Sequence, residues 1–177
     1  MRERIQKRTK YLTVSAMLSA LGVVLLGIGA LVEVLDVTTA IAASFLIIYA
    51  VIELGGVYPW LIWLVTSSLA LILLPQKTPA LFYALFAGFY PIVKEKLERL
   101  KSVLSYPLKL LVLHLSLGGI VLVARLFFPG LWETDGLWWM PIALYLAALL
   151  CFVVYDIALT RLISYYLIKL QKRFRIK

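Results

Sequence analysis

The stretch Tyr11–Val32, YLTVSAMLSALGVVLLGIGALV, decides the fold class, because its 22 residues include no charged side chain. A helix of roughly 20 apolar residues spans the hydrocarbon core of a bilayer. Five basic residues precede the stretch within the first ten positions, and the apolar run is too long for the core of a signal peptide. The sequence therefore predicts a transmembrane helix that begins on the cytoplasmic side.

Similar apolar runs occupy most of the remaining chain. Apolar residues make up 63% of the 177 residues, and the mean hydropathy of +0.98 leaves too little polar surface for a water-soluble domain. We expect an all-α, polytopic membrane protein with about six transmembrane helices in a single integral membrane domain. The predicted spans cover about residues 11–32, 38–54, 57–74, 79–93, 107–128 and 138–163.

The basic residues predict the orientation. Of the 18 Lys and Arg side chains, 14 lie in the first ten residues, in the segment 94–101 or after residue 168, whereas Lys77 and Arg125 lie near the opposite ends of spans. Basic residues are retained on the cytoplasmic side, so we expect both termini there, in a multi-pass protein of the cell membrane. Because these charges flank apolar runs, the net charge of +9 indicates contact with anionic lipid headgroups and not with nucleic acid.

The fourth predicted span, 79–93, has only about fifteen apolar residues, so a tilted or re-entrant element is an alternative. Beyond it, Val93, Leu97, Leu100 and Leu104 recur at helical spacing among basic residues. This pattern predicts an amphipathic helix over about 93–104 along the inner membrane surface.

Groups that carry catalysis are scarce. His114 is the only histidine and Cys151 the only cysteine, and the sequence contains neither a metal-ligand motif nor a Gly-rich phosphate loop. We therefore expect no enzyme activity, no metal and no cofactor. Glu53, His114 and Asp156 fall in the inner third of their predicted spans. They predict either a proton relay or structural pairs in which the carboxylates meet Lys109 or Arg161.

A second polar group is predicted at the outer side. Glu33 and Asp36 follow the first span, Glu133 and Trp132 precede the sixth, and Arg125 lies near the outer end of the fifth. Carboxylates with one guanidinium and a nearby indole suit a small cationic or zwitterionic solute. Solvated acidic loops are the alternative.

Ala16 and Ala20 form an Ala-x-x-x-Ala pair in the first span. Small residues at this spacing let another helix approach closely, either a partner subunit or a helix of the same chain.

The segment Lys10–Leu21, KYLTVSAMLSAL, and the turn Gly55–Pro59, GGVYP, resemble the corresponding parts of the S components of energy-coupling factor transporters. That resemblance implies a six-helix substrate-binding subunit whose first helix docks through its Ala pair on a transmembrane coupling subunit driven by ATPases. It also implies a solute cavity on the outer side, and so points to Glu33 and Asp36 first, then Arg125 and Glu133.

The second half departs from the S-component pattern, with a basic inner helix and the segment Tyr155–Arg161. A fainter resemblance is to the rod-shape-determining membrane subunit of bacterial cell-wall machinery, which implies a membrane scaffold that binds partner proteins. A stand-alone proton-coupled carrier built on Glu53, His114 and Asp156 is the third alternative.

Overall fold

The computed structural model describes residues 2–99, 102–127 and 139–170, and in these ranges the chain is helical without strands. Its α-helices are α1 (Arg2–Leu31), α2 (Asp36–Glu53), α3 (Tyr58–Leu73), α4 (Thr78–Phe82), α5 (Tyr90–Glu98), α6 (Ser102–Phe127) and α7 (Met140–Tyr165). A 3₁₀ turn, Glu33–Leu35, joins α1 to α2, and π-helical turns follow α4 (Tyr83–Ala87) and α7 (Tyr166–Leu170). The predicted all-α class is confirmed.

Within the described residues, four helical stretches are long and apolar enough to cross a membrane, namely Ile5–Leu31, Asp36–Glu53, Ser105–Val123 and Ile142–Lys169. The third predicted span is the shorter apolar helix α3. The chain is therefore a polytopic helical membrane protein. It divides into two compact units, Met1–Ile120 and Val121–Lys177, with the boundary inside α6.

The core of the first unit forms where α1 packs against α2 and α3. Gly22 of α1 lies against Thr66 of α3, so close that a Cβ at Gly22 would be 2.9 Å from the Thr66 methyl carbon. The Thr66 hydroxyl also donates a long hydrogen bond of 3.5 Å to the carbonyl of Ser19. Because both helices have small or hydroxyl side chains here, their backbones approach closely, as is typical of helix pairs in membranes.

Contacts between helices define the two ends of the first unit. The rings of Tyr11 and Tyr58 meet edge to face at 5.3 Å, which places the beginning of α3 beside the apolar beginning of α1. At the opposite end, Gly29 lies against Thr39 and Pro79, which joins the end of α1 to the beginnings of α2 and α4. Hence α1 and α3 run in the same direction and α2 runs in the opposite one.

The predicted fourth span is broken into α4, the π-helical turn and α5. The Gly88 amide donates to the Tyr83 carbonyl at 2.8 Å, which closes the wide turn, and the Trp63 indole donates to the Ala84 carbonyl at 3.0 Å. A side chain bonded to the backbone in this way satisfies a polar group at membrane depth. A Cβ at Gly88 would be 2.7 Å from Tyr83 and 2.8 Å from Trp63, so the backbone here lies against α3.

This broken segment nevertheless runs from one end of the first unit to the other. Pro79 lies with Gly29 and Thr39, whereas the ammonium of Lys96 lies 5.3 Å above the Trp60 ring near the beginning of α3. The segment 78–98 therefore traverses the unit, in contrast to a re-entrant loop, which would return to the end where it started.

Two boundaries differ from the sequence prediction. The amphipathic helix expected over about 93–104 ends at Glu98, and Arg99 lies in a turn. The helix expected to open at Pro107 begins at Ser102, so Pro107 lies inside α6. Proline lacks the amide that would bond the carbonyl four residues earlier, and α6 continues without that hydrogen bond.

Candidate functional site

The small residues of α1 are divided between two faces. Ser15, Ser19 and Gly22 are buried against neighbouring helices, whereas Ala16 and Ala20 are exposed. The hydroxyls of Ser15 and Ser19 bond the carbonyls of their own helix four residues earlier, at 2.8 Å and 2.9 Å, so no polar hydrogen is left pointing into the packed face. Packing inside the first unit therefore uses the serine and glycine face, and the alanine pair lies outside it.

The predicted solute residues are only partly described. Asp36 begins α2 and is 8% exposed, at the end of the unit where Gly29 meets Thr39. Its carboxylate lies in the first turn, where the helix dipole favours negative charge. Glu33 belongs to the adjacent 3₁₀ turn. Arg125 is exposed and belongs to the second unit, and Trp132 and Glu133 lie outside the described residues. The solute site stays a prediction.

The predicted inner cluster is divided between the units. Glu53 ends α2 and is half-buried, and His114 is exposed on α6 with its Nδ1 2.7 Å from the Leu110 carbonyl oxygen of its own helix. Asp156 belongs to the second unit. The structure does not test a relay among the three, which stays a prediction.

A cluster that the sequence analysis missed links α5 to α6. Glu98 accepts from Lys94 at 2.8 Å and from Lys109 at 3.2 Å. Lys94 is fully buried, and Lys109 is 8% exposed. A buried ammonium needs a nearby carboxylate, because removing its charge from water has a large cost that the attraction between the two charges offsets. The sequence signal was the spacing of Lys94 and Glu98, four residues apart on a helix whose other buried side chains are apolar.

A cleft of about 300 Å³ lies between α5 and the turn that joins α2 to α3. Gly55 and Gly56 form that turn with φ of +62° and +60°, a region that side chains other than glycine rarely adopt. Trp60 lines one side of the cleft, and Lys96 and Arg99 line the other. The glycine turn and the basic segment can each be recognised in the sequence, but nothing in the sequence places them together.

No group of three or more His, Cys, Asp or Glu side chains is close enough to hold a metal ion within residues 2–99, 102–127 and 139–170. Cys151 is exposed on α7.

No protein-family model matches this chain, and comparisons with curated proteins and with solved structures found no match. The resemblance to S components therefore rests on the sequence pattern alone.

Proposed function

We propose that this chain is a transport subunit of the cell membrane, which binds a small solute at the outer side and passes it inward with ATP-driven partner subunits. The observation that carries the proposal is the position of Ala16 and Ala20. Both are exposed on α1, while Ser15 and Ser19 next to them are buried in the first unit.

The exposed pair suits a helix supplied by a partner. Alanine at i and i+4 lets a second helix come close without losing side-chain entropy, and in lipid such close van der Waals packing drives helix association. Inside the first unit this role belongs to Gly22 and Gly29, which leaves the alanine face available. The S-component resemblance implies a docking helix of this kind, which packs one face inside the subunit and presents a small-residue face outside it.

The solute would be held at the end of the first unit where α1 meets α2. Glu33 and Asp36 lie there, and a buried carboxylate in a nearly dry position attracts a cation more strongly than a solvated one does. Arg125, Trp132 and Glu133 are the further residues that the sequence predicts for contact with the solute.

The docking half of the proposal is tested by Ala16→Leu and Ala20→Leu, with Ala158→Leu on an exposed position of α7 as the matched control. Proteins that copurify in mild detergent are identified for each variant, and thermal unfolding is measured in parallel. We expect both α1 variants to unfold normally and to lose a membrane subunit and its ATPases, which the control retains.

Other outcomes favour the alternatives. Copurification of cell-envelope enzymes would support the membrane scaffold, and solute uptake by vesicles that contain this chain alone would support the stand-alone carrier. Unchanged partners in the double variant would show that the alanine face contacts lipid, and the docking proposal would fail.

The solute half is tested by Glu33→Gln and Asp36→Asn. Loss of one charge-assisted hydrogen bond costs about 1.5 to 3 kcal/mol, which is about ten- to a hundredfold in affinity. Binding of a cationic ligand should weaken by that factor while binding of a neutral one changes little. If both variants bind the cationic ligand as tightly as the unaltered chain does, the site lies elsewhere.

A further inference from the structure

We propose that the cleft between α5 and the α2–α3 turn binds the phosphate group of an anionic lipid headgroup. The proposal is independent of solute transport, because it concerns the opposite end of the first unit. The cleft lies beside Trp60 near the beginning of α3, and Tyr58 places this end with the beginning of α1. The distribution of basic residues predicts that this end is cytoplasmic, where anionic lipids are concentrated.

The charges around the cleft favour an anion. Lys96 lies on α5 and Arg99 in the turn directly after it, and both side chains line the cleft. Glu95 forms an ion pair with Arg99, so one positive charge remains in excess among these three side chains. Lys96 is held above the Trp60 ring at 5.3 Å, which fixes its ammonium at the cleft.

The backbone beside the cleft adds to this preference. The cleft reaches Gly55, Gly56 and Pro59, which lead into the beginning of α3. No side chain caps the beginning of α3 and Pro59 has no amide hydrogen, but a helix beginning carries a partial positive charge that favours an anion. Because Gly55 and Gly56 have no side chains, an oxygen-bearing ligand can approach the backbone closely.

The surroundings favour a lipid over a dissolved phosphate. The cleft lies just past the last residue of α2, Glu53, and so at the level of the headgroups if α2 crosses the membrane. Val51, Pro59 and Ile92 give it an apolar side next to the cationic one. A phosphodiester with acyl chains fits such a mixed lining, whereas inorganic phosphate would leave the apolar side without a ligand. The volume is at the lower end of the range for small-molecule sites.

The test uses the full chain purified in an uncharged detergent and titrated with three probes: a short-chain phosphatidylglycerol, the matching phosphatidylcholine and inorganic phosphate. The variant is Lys96→Gln with Arg99→Gln. Lys7→Gln with Lys10→Gln is the control, because these two side chains are exposed and equally basic but outside the cleft. Lys96→Arg keeps the charge at the same position.

We expect phosphatidylglycerol to bind more tightly than phosphatidylcholine, and its affinity to fall about tenfold or more in the cleft variant, which is the effect of at least one charge-assisted contact. The control pair and Lys96→Arg should bind as the unaltered chain does. Equal loss in the control pair would show general electrostatic attraction and overturn the site. Inorganic phosphate that binds as tightly as phosphatidylglycerol would overturn the assignment to lipid.

Discussion

The contact of α1 with α2 at Gly29 leaves no room for a methyl group. A Cβ at this position would clash with the Thr39 hydroxyl oxygen, and it would be 3.2 Å from the Thr39 Cβ and 3.5 Å from the Pro79 Cβ. The Thr39 hydroxyl is itself bonded to the Leu35 carbonyl at 2.9 Å, so turning it away costs a hydrogen bond. We therefore predict that Gly29→Ala destabilises the protein.

Gly27→Ala provides the matched control, because nothing lies within 4 Å of a Cβ there and both positions belong to α1. The two variants gain the same helix preference of about 0.5 to 1 kcal/mol. They differ in overpacking, which costs about 1 to 3 kcal/mol in tight contacts. At about 2 to 4 °C per kcal/mol for a chain of this size, Gly29→Ala should melt about 2 to 12 °C below Gly27→Ala.

Thermal unfolding in detergent, followed by circular dichroism, measures this difference. A third variant, Gly29→Ala in a Thr39→Ala background, removes the oxygen and should recover much of the loss, because the nearest remaining side-chain atom is at 3.2 Å. Equal melting temperatures for Gly27→Ala and Gly29→Ala would refute the close approach of α1 and α2 at this point.

Three further predictions concern charge and orientation. Glu98→Gln should lower the free energy of unfolding by about 1 to 3 kcal/mol, a value between those of exposed and buried ion pairs. An unchanged melting temperature would contradict the role of Glu98 as the shared partner of Lys94 and Lys109. His114→Ala should leave the folded yield nearly unchanged, because the imidazole is exposed. Loss of proton-coupled solute movement in vesicles would then support the relay. Unaltered pH dependence of transport would exclude His114 from it. In a Cys151→Ala background, an impermeant thiol reagent should label Thr38→Cys in intact cells but not Arg99→Cys, and labelling of the second would reverse the predicted orientation.

Helix boundaries could be predicted from the sequence where a single local signal, such as apolar length or a glycine pair, determines them. The predicted span 38–54 is observed as Asp36–Glu53, and the predicted span 57–74 as Tyr58–Leu73. Between them, Gly55 and Gly56 have the positive φ angles that only glycine adopts easily. Apolar length and a glycine pair are local properties, so they can be read from the sequence without knowledge of the neighbouring helices.

Features that depend on contacts between helices could not be predicted. The break near Tyr83–Ala87 depends on Trp63 reaching the Ala84 carbonyl, and a single sequence does not show which helices are neighbours. The burial of Lys94 has the same origin, because it depends on the packing of α5 against α2, which a basic segment does not reveal by itself. The cleft likewise joins two segments about 40 residues apart.

α1 is longer than the bilayer requires. Its 30 residues rise about 45 Å, whereas the hydrocarbon core is about 30 Å thick. If Tyr11–Val32 fills that core, the helix continues about 13 Å beyond it, past a headgroup layer of about 5 to 8 Å. Charge is screened over about 8 Å at physiological ionic strength, so a charge that lies beyond the headgroup layer acts more on solutes in the water than on the lipid. On that condition the first turns of α1 extend past the headgroups into water, and added salt should weaken their attraction for soluble anions without releasing the chain from its membrane.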